Sequence, residues 1–362
     1  MKICHLTSVH SQSDTRIFLK ECTSLAKNHE VYLLVVNGKD DDLNGVKIRT
    51  VKVDFKNRFQ RFTKAVDAIF KKALEINAEV YHLHDPELLR IAKKLKKSGK
   101  KVIYDAHEDL PRQLLSKPYL NKLILKLLSS IIEKYENKIA SKLDAVVTAT
   151  PFIKSRFIKY NTNTIDINNY PLIPNKNIVD IENKQDIICY VGGISRERGC
   201  YEILEILNYI DVRLIIAGNF YDDAIERDLK AHKNWSKVDF RGYVNREEVE
   251  QIYNQSKIGV VTLYPIINYI DALPVKLFEY MSFGLPVITS NIKLWESIVI
   301  ENNCGLSVNP KNPKAIAEAI NELLSNKEQQ KQMSLNALKA IKEKYNWAQE
   351  EKKLIRLYEQ IK

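Results

Sequence analysis

Apolar residues along this 362-residue chain follow two alternating rhythms. Short β-branched runs at 2–7, 31–36, 46–53, 79–84, 102–105 and 145–148 predict strands, because short apolar runs bounded by polar turns mark buried strands. Between several of them apolar positions recur at helical spacing, as at Phe18, Cys22 and Leu25, with Asp14 placed to cap that helix. The rhythm restarts near Asp186, with strands predicted at 187–191, 212–217, 238–240, 258–262, 286–289 and 306–308. Strand and helix in alternation predict βαβ units on a mostly parallel sheet, and the restart predicts a second α/β domain. The stretch 171–185 opens on Pro171, contains Pro174 and is rich in Asn and charge. It is read as the linker between a first domain, 1–170, and a second, 186–346. The tail from 313 has almost wholly helical pattern, and 347–362 is read as a helix of its own. Doubly wound sheets bind ligands at the carboxyl ends of their strands, so a cleft is expected there.

The chemistry-bearing residues gather near those strand ends. In the second domain Asp271-Ala-Leu-Pro-Val-Lys-Leu-Phe-Glu279 runs on into Tyr-Met-Ser-Phe-Gly284-Leu-Pro286-Val-Ile-Thr: a loop, a helix, a glycine stop and a buried strand. A helix start near 272–275 offers free N–H groups and the positive end of a dipole, both suited to a diphosphate. Lys276 adds charge in the first turn, and Glu279 lies where a carboxylate can accept from a ribose diol. Asp271 fits beside a diphosphate only if it faces sugar hydroxyls. The plain alternatives are a helix cap for Asp271 and a solvated helix position for Glu279.

A second run, Tyr190-Val-Gly192-Gly193-Ile-Ser-Arg196-Glu-Arg198-Gly199, passes from a strand through a glycine pair to basic residues. Glycine lets backbone approach a phosphate, and a guanidinium neutralises it with two bonds. The Gly-x-Gly-x-x-Gly spacing of dinucleotide oxidoreductases is absent. Ala217-Gly218-Asn219 and Arg241-Gly242-Tyr243-Val244 end two further strands. In the first domain His82-Leu-His84-Asp85-Pro86-Glu87 and Tyr104-Asp105-Ala-His107-Glu108-Asp109 do the same. A metal site is the minor reading of these clusters, since no ligand spacing such as His-Glu-x-x-His occurs, and none is assigned.

Together these motifs resemble the retaining GT-B glycosyltransferases of the family-four type, the glycosyl transferases group 1, over nearly the whole chain. The resemblance implies two Rossmann-like domains with parallel sheets facing a central cleft. It implies a nucleotide-diphosphate-sugar donor on the second domain and an acceptor on the first. Transfer would proceed with retention by a front-face route, with no covalent nucleophile, cofactor or metal. Carried onto this sequence, it makes Arg198 a grip on the donor phosphates, Asp271 and Glu279 the two acids of the motif, and Tyr243 and Val244 contacts to the base. His107 would lie against the transferred sugar, so His107, Asp271 and Arg198 are the candidate catalytic residues. Gly193, Arg196, Leu273, Lys276 and Arg16 join the donor-binding set, and His84, Asp85 and Glu108 fall on the acceptor side. The helix at 347–362 is expected to cross back onto the first domain.

The chain departs from the family pattern at several points. Asp271 replaces the usual Glu and is one methylene shorter. Leu273-Pro274 replaces a Phe-Gly pair, and Pro274 has no N–H to donate. Gly193 stands where the family has the first of two cations, which leaves Arg196 as the expected substitute. The loop after the first strand lacks the family's glycines and reads Asp14-Thr15-Arg16 instead. There Arg16 is a candidate for the diphosphate, and a plain capping role for Asp14 is the alternative.

The formal net charge of +11 favours an anionic partner without choosing its kind. No nucleic-acid-binding motif accompanies the charge, so no nucleic acid is expected. Two basic amphipathic stretches suit an anionic membrane surface. One interleaves Phe55, Phe59, Phe62 and Phe70 with Lys56, Arg58, Arg61 and Lys64; the other carries Lys117, Lys122, Lys126, Lys134 and Lys138. Helices with a core-facing apolar side are the plain alternative. No apolar run approaches the ~20 residues that span a bilayer. No secretory leader is read in the first residues, and the cysteines are widely spaced with no Cys-x-x-Cys pair. A cytoplasmic location, peripheral on the inner face of the membrane, is expected. The expected function is sugar transfer to a lipid-linked or polysaccharide acceptor in bacterial surface-glycan assembly. A non-hydrolysing sugar-nucleotide epimerase and a non-catalytic membrane-surface protein of the same fold are the alternatives.

Overall fold

The computed structural model describes residues 1–57, 60–116, 121–174 and 178–361; Arg58, Phe59 and Lys117 of the basic stretches lie outside the described residues. The chain divides into two units: Met1–Asn169 with Trp347–Lys362, and Tyr170–Asn346.

Unit one is built on β1 (Lys2–Leu6), β2 (Glu30–Val36), β3 (Asp41–Leu43), β4 (Val46–Val51), β5 (Val80–Leu83), β6 (Lys101–Ala106), β7 (Ala145–Thr148) and β8 (Thr164–Asp166). Their order is β3-β4-β2-β1-β5-β6-β7-β8, parallel throughout except for β3 against β4. The winding reverses at β1, which has β2 on one side and β5 on the other, and the crevice beyond such a reversal is where these sheets hold ligands. The register sets His5 of β1 opposite His82 of β5.

Crossover helices cover both faces of a parallel sheet, so its strands are apolar on both sides. Cys4, Leu6, Tyr81, Leu83 and Tyr104 form one layer of the core, and Ile3, Leu33, Ile103 and Val147 belong to the other. Side chains alternate across a strand, so His5 shares the face of Ile3. That second layer is completed from far along the chain, by Trp347, Leu354, Leu357 and Tyr358 packed with Ile17, Phe18 and Cys22. Trp347 Nε1 donates to Ser24 Oγ at 2.9 Å, which fixes the helix Trp347–Gln360 to unit one.

Unit two repeats the plan with β9 (Ile187–Val191), β10 (Arg213–Ala217), β11 (Val238–Gly242), β12 (Ile258–Val261), β13 (Val287–Ser290) and β14 (Gly305–Val308). All neighbours are parallel, in the order β11-β10-β9-β12-β13-β14, with the reversal at β9. Cys4, Cys22, Cys189, Cys200 and Cys304 are buried and unpaired, packed as small apolar side chains.

Candidate functional site

Glycine turns bring backbone together beyond the strand ends of unit two. β9 runs into Gly192 (φ +135°) and β10 into Gly218 (φ +142°), and a Cβ on Gly218 would lie 2.0 Å from the Gly192 carbonyl oxygen. Only glycine fits there. These turns and the loop after β11 line a pocket of about 370 Å³, with Gly193, Tyr221, Tyr243 and Val244 among its walls. Tyr243 is 77% exposed and offers an open aromatic face.

Cations converge on the same turn. Lys276 enters from the first turn of the helix Val275–Ser282. From the position of a Cβ on Gly192, Lys276 Nζ would be 2.8 Å away and Arg198 Nη1 3.9 Å away. Lys276 is buried, its Nζ stands 3.7 Å from the centre of the Tyr190 ring, and it makes no hydrogen bond. Burial, and then the charge of Arg198, pull its pKa down to about 7. Arg198 Nη2 donates to Tyr221 Oη at 2.9 Å, while its Nε is buried without a partner. An ammonium and a guanidinium left short of acceptors attract an anion. Arg196, the expected substitute for the missing cation, is exposed and lies 4.2 Å from the Tyr201 ring instead. Lys276 therefore replaces it as the second cation of this turn. A Cβ on Gly193 would lie 3.0 Å from the exposed Tyr221 ring, which would have to shift to admit it.

Glu279 lies one turn further along the helix. Its Oε1 accepts from Arg246 Nη1 at 2.6 Å and its Oε2 from Tyr253 Oη at 3.2 Å, leaving roughly two of a carboxylate's four lone-pair positions for a ligand. Asp271 is not the helix cap. Pro274 (φ −69°, ψ 119°) holds that position without a side-chain bond, and Asp271 stands in the preceding turn. Asp271 is half-buried, and that burial raises its pKa. Leu273 packs against the hydrophobic core of the unit.

In unit one the histidines form a hydrogen-bonded chain. Arg16 Nε and Nη2 donate to Asp105 at 3.1 and 3.0 Å. His107 Nε2 lies 3.0 Å from Asp105 Oδ2 and 3.1 Å from His84 Nδ1, and His84 Nε2 lies 2.8 Å from His5 Nδ1. The Tyr358 hydroxyl meets His82 Nδ1 at 2.9 Å and His5 Nε2 at 3.4 Å. Burial drives the pKa of His5 and His82 well below 6.5 and that of His84 down to about 4, so these rings are neutral near pH 7. Burial alone would raise Asp105, but Arg16 and His107 outweigh it and hold the carboxylate ionised.

Arg16 therefore departs from its expected place at a diphosphate. It is buried, its Nη1 donates to the Ile167 carbonyl at 2.8 Å, and its other nitrogens hold Asp105. Asp14 caps the helix Thr15–Cys22, accepting from the backbone of Arg16 and Ile17. Asp85 is buried too. It accepts from Thr7 Oγ1 at 2.8 Å and Ser8 N at 2.6 Å, fastening the loop after β1. Glu108 is exposed and bonded to Gln113. His107 and His10, with side chains 15% and 31% exposed and rings 5.1 Å apart, carry the histidine group to the surface. The sequence motifs do not single out His5, Glu21 or Tyr358 in unit one, nor Tyr221, Arg246 or Tyr253 in unit two. The one local signal was the capping box of Asn245 and Glu248, which marks the helix Arg246–Gln255 but not its partner.

Two Rossmann-like α/β units, the second with an anion-attracting glycine turn, define a protein of the GT-B fold. The model for Glycosyltransferase Family 4 matches residues 16–175 and that for Glycosyl transferases group 1 matches residues 174–340. The chain belongs to this glycosyltransferase family. It is similar to an uncharacterized glycosyltransferase of Methanocaldococcus jannaschii, 24% identical over 189 residues, covering 50% of this chain. The match takes in 46% of that relative, so the chain spans about half of its length. It is also similar to the D-rhamnosyltransferase WbpZ of Pseudomonas aeruginosa, 23% identical over 295 residues, 75% of this chain and 71% of the relative. The solved structure of Anabaena HepE in complex with UDP shares the fold, with a TM-score of 0.75 and 14% identity over 99% of this chain and 100% of that one. Among the described residues no helix is long and apolar enough to cross a membrane.

Proposed function

We propose that this chain transfers a sugar, with retention, from a nucleotide-diphosphate donor to a lipid-linked or polysaccharide acceptor in surface-glycan assembly. The observation that carries the reading is the pair of buried Lys276 and half-buried Arg198 at Gly192, with an ammonium that has no acceptor of its own. A diphosphate departing from an anomeric carbon gains charge, and preformed cations in a dry site stabilise that charge as it develops. In this reading the base enters the pocket at Tyr243 and Val244, the ribose diol meets Glu279, and Asp271 faces the sugar hydroxyls. The UDP bound by the Anabaena neighbour supports a nucleotide as ligand. His107 serves the transferred sugar, and Asp105 and His84 act through it by fixing its ring. The leaving diphosphate takes the acceptor proton, so the site needs no protein nucleophile.

The helix Lys122–Ala140 supports an acceptor held at an anionic membrane. Leu125, Ser129, Glu136 and Asn137 face inward, whereas Leu123, Leu127 and Ile131 are 75%, 63% and 53% exposed. Spacing by four places these three on one face. Lys122, Lys126, Lys134 and Lys138 are exposed around them, and an apolar stripe with a lysine rim matches acidic headgroups.

The test is to screen UDP-, GDP- and ADP-sugars for thermal stabilisation, then to assay transfer by Arg198→Ala and Glu279→Ala. Both variants are expected to keep a wild-type circular dichroism spectrum and lose most transfer. Wild-type turnover in both would overturn the reading. Conversion of the donor without acceptor would favour an epimerase, and no binding of any nucleoside diphosphate would favour a non-catalytic surface protein.

A further inference from the structure

We propose that unit one holds a structural divalent cation of the zinc class between His5, Glu21, His82 and His84. The sheet assembles three of these ligands. His5 and His82 are register partners on β1 and β5, and His84, two residues on, shares their face. Glu21 comes from the helix Thr15–Cys22, which is wound as a π-helix, with Leu19 N reaching the Asp14 carbonyl at 3.2 Å. Such turns re-aim side chains and recur at functional sites. Each of the four residues offers one ligand atom, and all four atoms lie within 4.8 Å of one another. His5 Nδ1 and His84 Nε2 are 2.8 Å apart, and Glu21 Oε2 is 3.9 and 4.0 Å from them. Tetrahedral zinc with bonds of about 2.0 Å sets its ligands about 3.3 Å apart, so small side-chain adjustments close the shell.

The hydrogen bonding points the same way. The outer nitrogen of every ring is engaged: His82 Nδ1 and His5 Nε2 by the Tyr358 hydroxyl, and His84 Nδ1 by Asp105 Oδ2 at 3.5 Å. Partners of this kind fix the tautomer and orientation of ligating histidines. Of the inner atoms, His5 Nδ1 and His84 Nε2 bond each other, and the rest are left over. His82 Nε2 and both Glu21 oxygens are buried without a hydrogen bond, although buried polar atoms ordinarily have a partner. Arg16 Nε approaches Glu21 Oε1 at 3.1 Å, but Asp105 already balances the Arg16 charge. Three imidazoles and one carboxylate suit zinc, and a closed set of four buried ligands makes the ion structural rather than catalytic.

Elemental analysis of the full-length chain, purified without chelator, is expected to find about one zinc per chain. Dialysis against a strong chelator should lower the melting temperature, and zinc chloride, not magnesium chloride, should restore it. Cobalt(II) in place of zinc should give the intense visible absorption of a four-coordinate site. Glu21→Gln and His82→Gln should each weaken metal retention by roughly tenfold or more. If those variants do not fold, the metal content and cobalt spectrum of the wild type decide the question. Absence of zinc, of a cobalt band and of any chelator effect on melting would overturn the proposal. So would zinc retained undiminished in folded variants, which would place the ion elsewhere. None of these readouts uses sugar transfer, so this proposal and the transferase reading fail separately.

Discussion

Arg16 and Lys276 are both buried cations, yet Arg16 has its nitrogens bonded to Asp105 and Ile167 within unit one, whereas Lys276 has no acceptor in unit two. Around the two candidate sites the leftover atoms also differ in sign. In unit two they include the donors Lys276 Nζ and Arg198 Nε; in unit one they include the acceptors Glu21 Oε2 and His82 Nε2. Burying a polar group without a partner costs free energy, so a ligand that bonds these atoms gains by completing them. In the two proposals, unit two is completed by an anion and unit one by a cation. A charge that is fully paired inside its own unit belongs to the scaffold.

The largest effect that would test this contrast is in stability. Arg16→Ala strands Asp105 and should lower the unfolding free energy by ~3–5 kcal/mol in urea titrations. A folded variant of unchanged stability but weak donor binding would move Arg16 back to the ligand. Next is Arg198→Ala, expected to cost ~3 kcal/mol of transition-state stabilisation, about a hundredfold in kcat, with melting near wild type. A large drop in melting without a kinetic effect would make Arg198 scaffold as well. Lys276→Met should then cost about tenfold in donor affinity, the scale of one hydrogen bond to a charged group. Its sign with pH can be worked out. Free Lys276 titrates at about 7, and a bound diphosphate raises that value. Affinity is therefore full below pH 7 and falls as pH rises above it, with proton uptake on binding. Calorimetry in buffers of different protonation enthalpy should detect that uptake in the wild type and not in Lys276→Met. The smallest effect is at the helix Lys122–Ala140. Leu127→Ser with Ile131→Ser should weaken co-sedimentation with anionic vesicles by roughly tenfold and leave transfer to a soluble acceptor unchanged.

Reach along the chain explains what was legible in the sequence. The parallel strands were visible because burial on both faces makes them continuous apolar runs. β3 and β8 were not, since each is three residues long and is defined by the ladder of its neighbour rather than by a pattern of its own. The glycine turns, Lys276 and Glu279 were legible because each sits inside a short run of sequence that forms a motif, although their partners are distant. Partners of Glu279 lie 33 and 26 residues off, and Arg16 was misplaced because Asp105 is 89 residues away. His5 and Glu21 carry no motif; the register of β1 with β5 sets His5 beside His82, and the helix Thr15–Cys22 brings Glu21 to them.

The helix Trp347–Gln360 belongs to the core of unit one although all of unit two precedes it in the chain. On the ribosome, unit two is one unbroken stretch and can complete its own core as it emerges. Unit one, made first, keeps part of one face of its sheet uncovered until Trp347, Leu354, Leu357 and Tyr358 have been synthesised, and that waiting surface is what chaperones would meet.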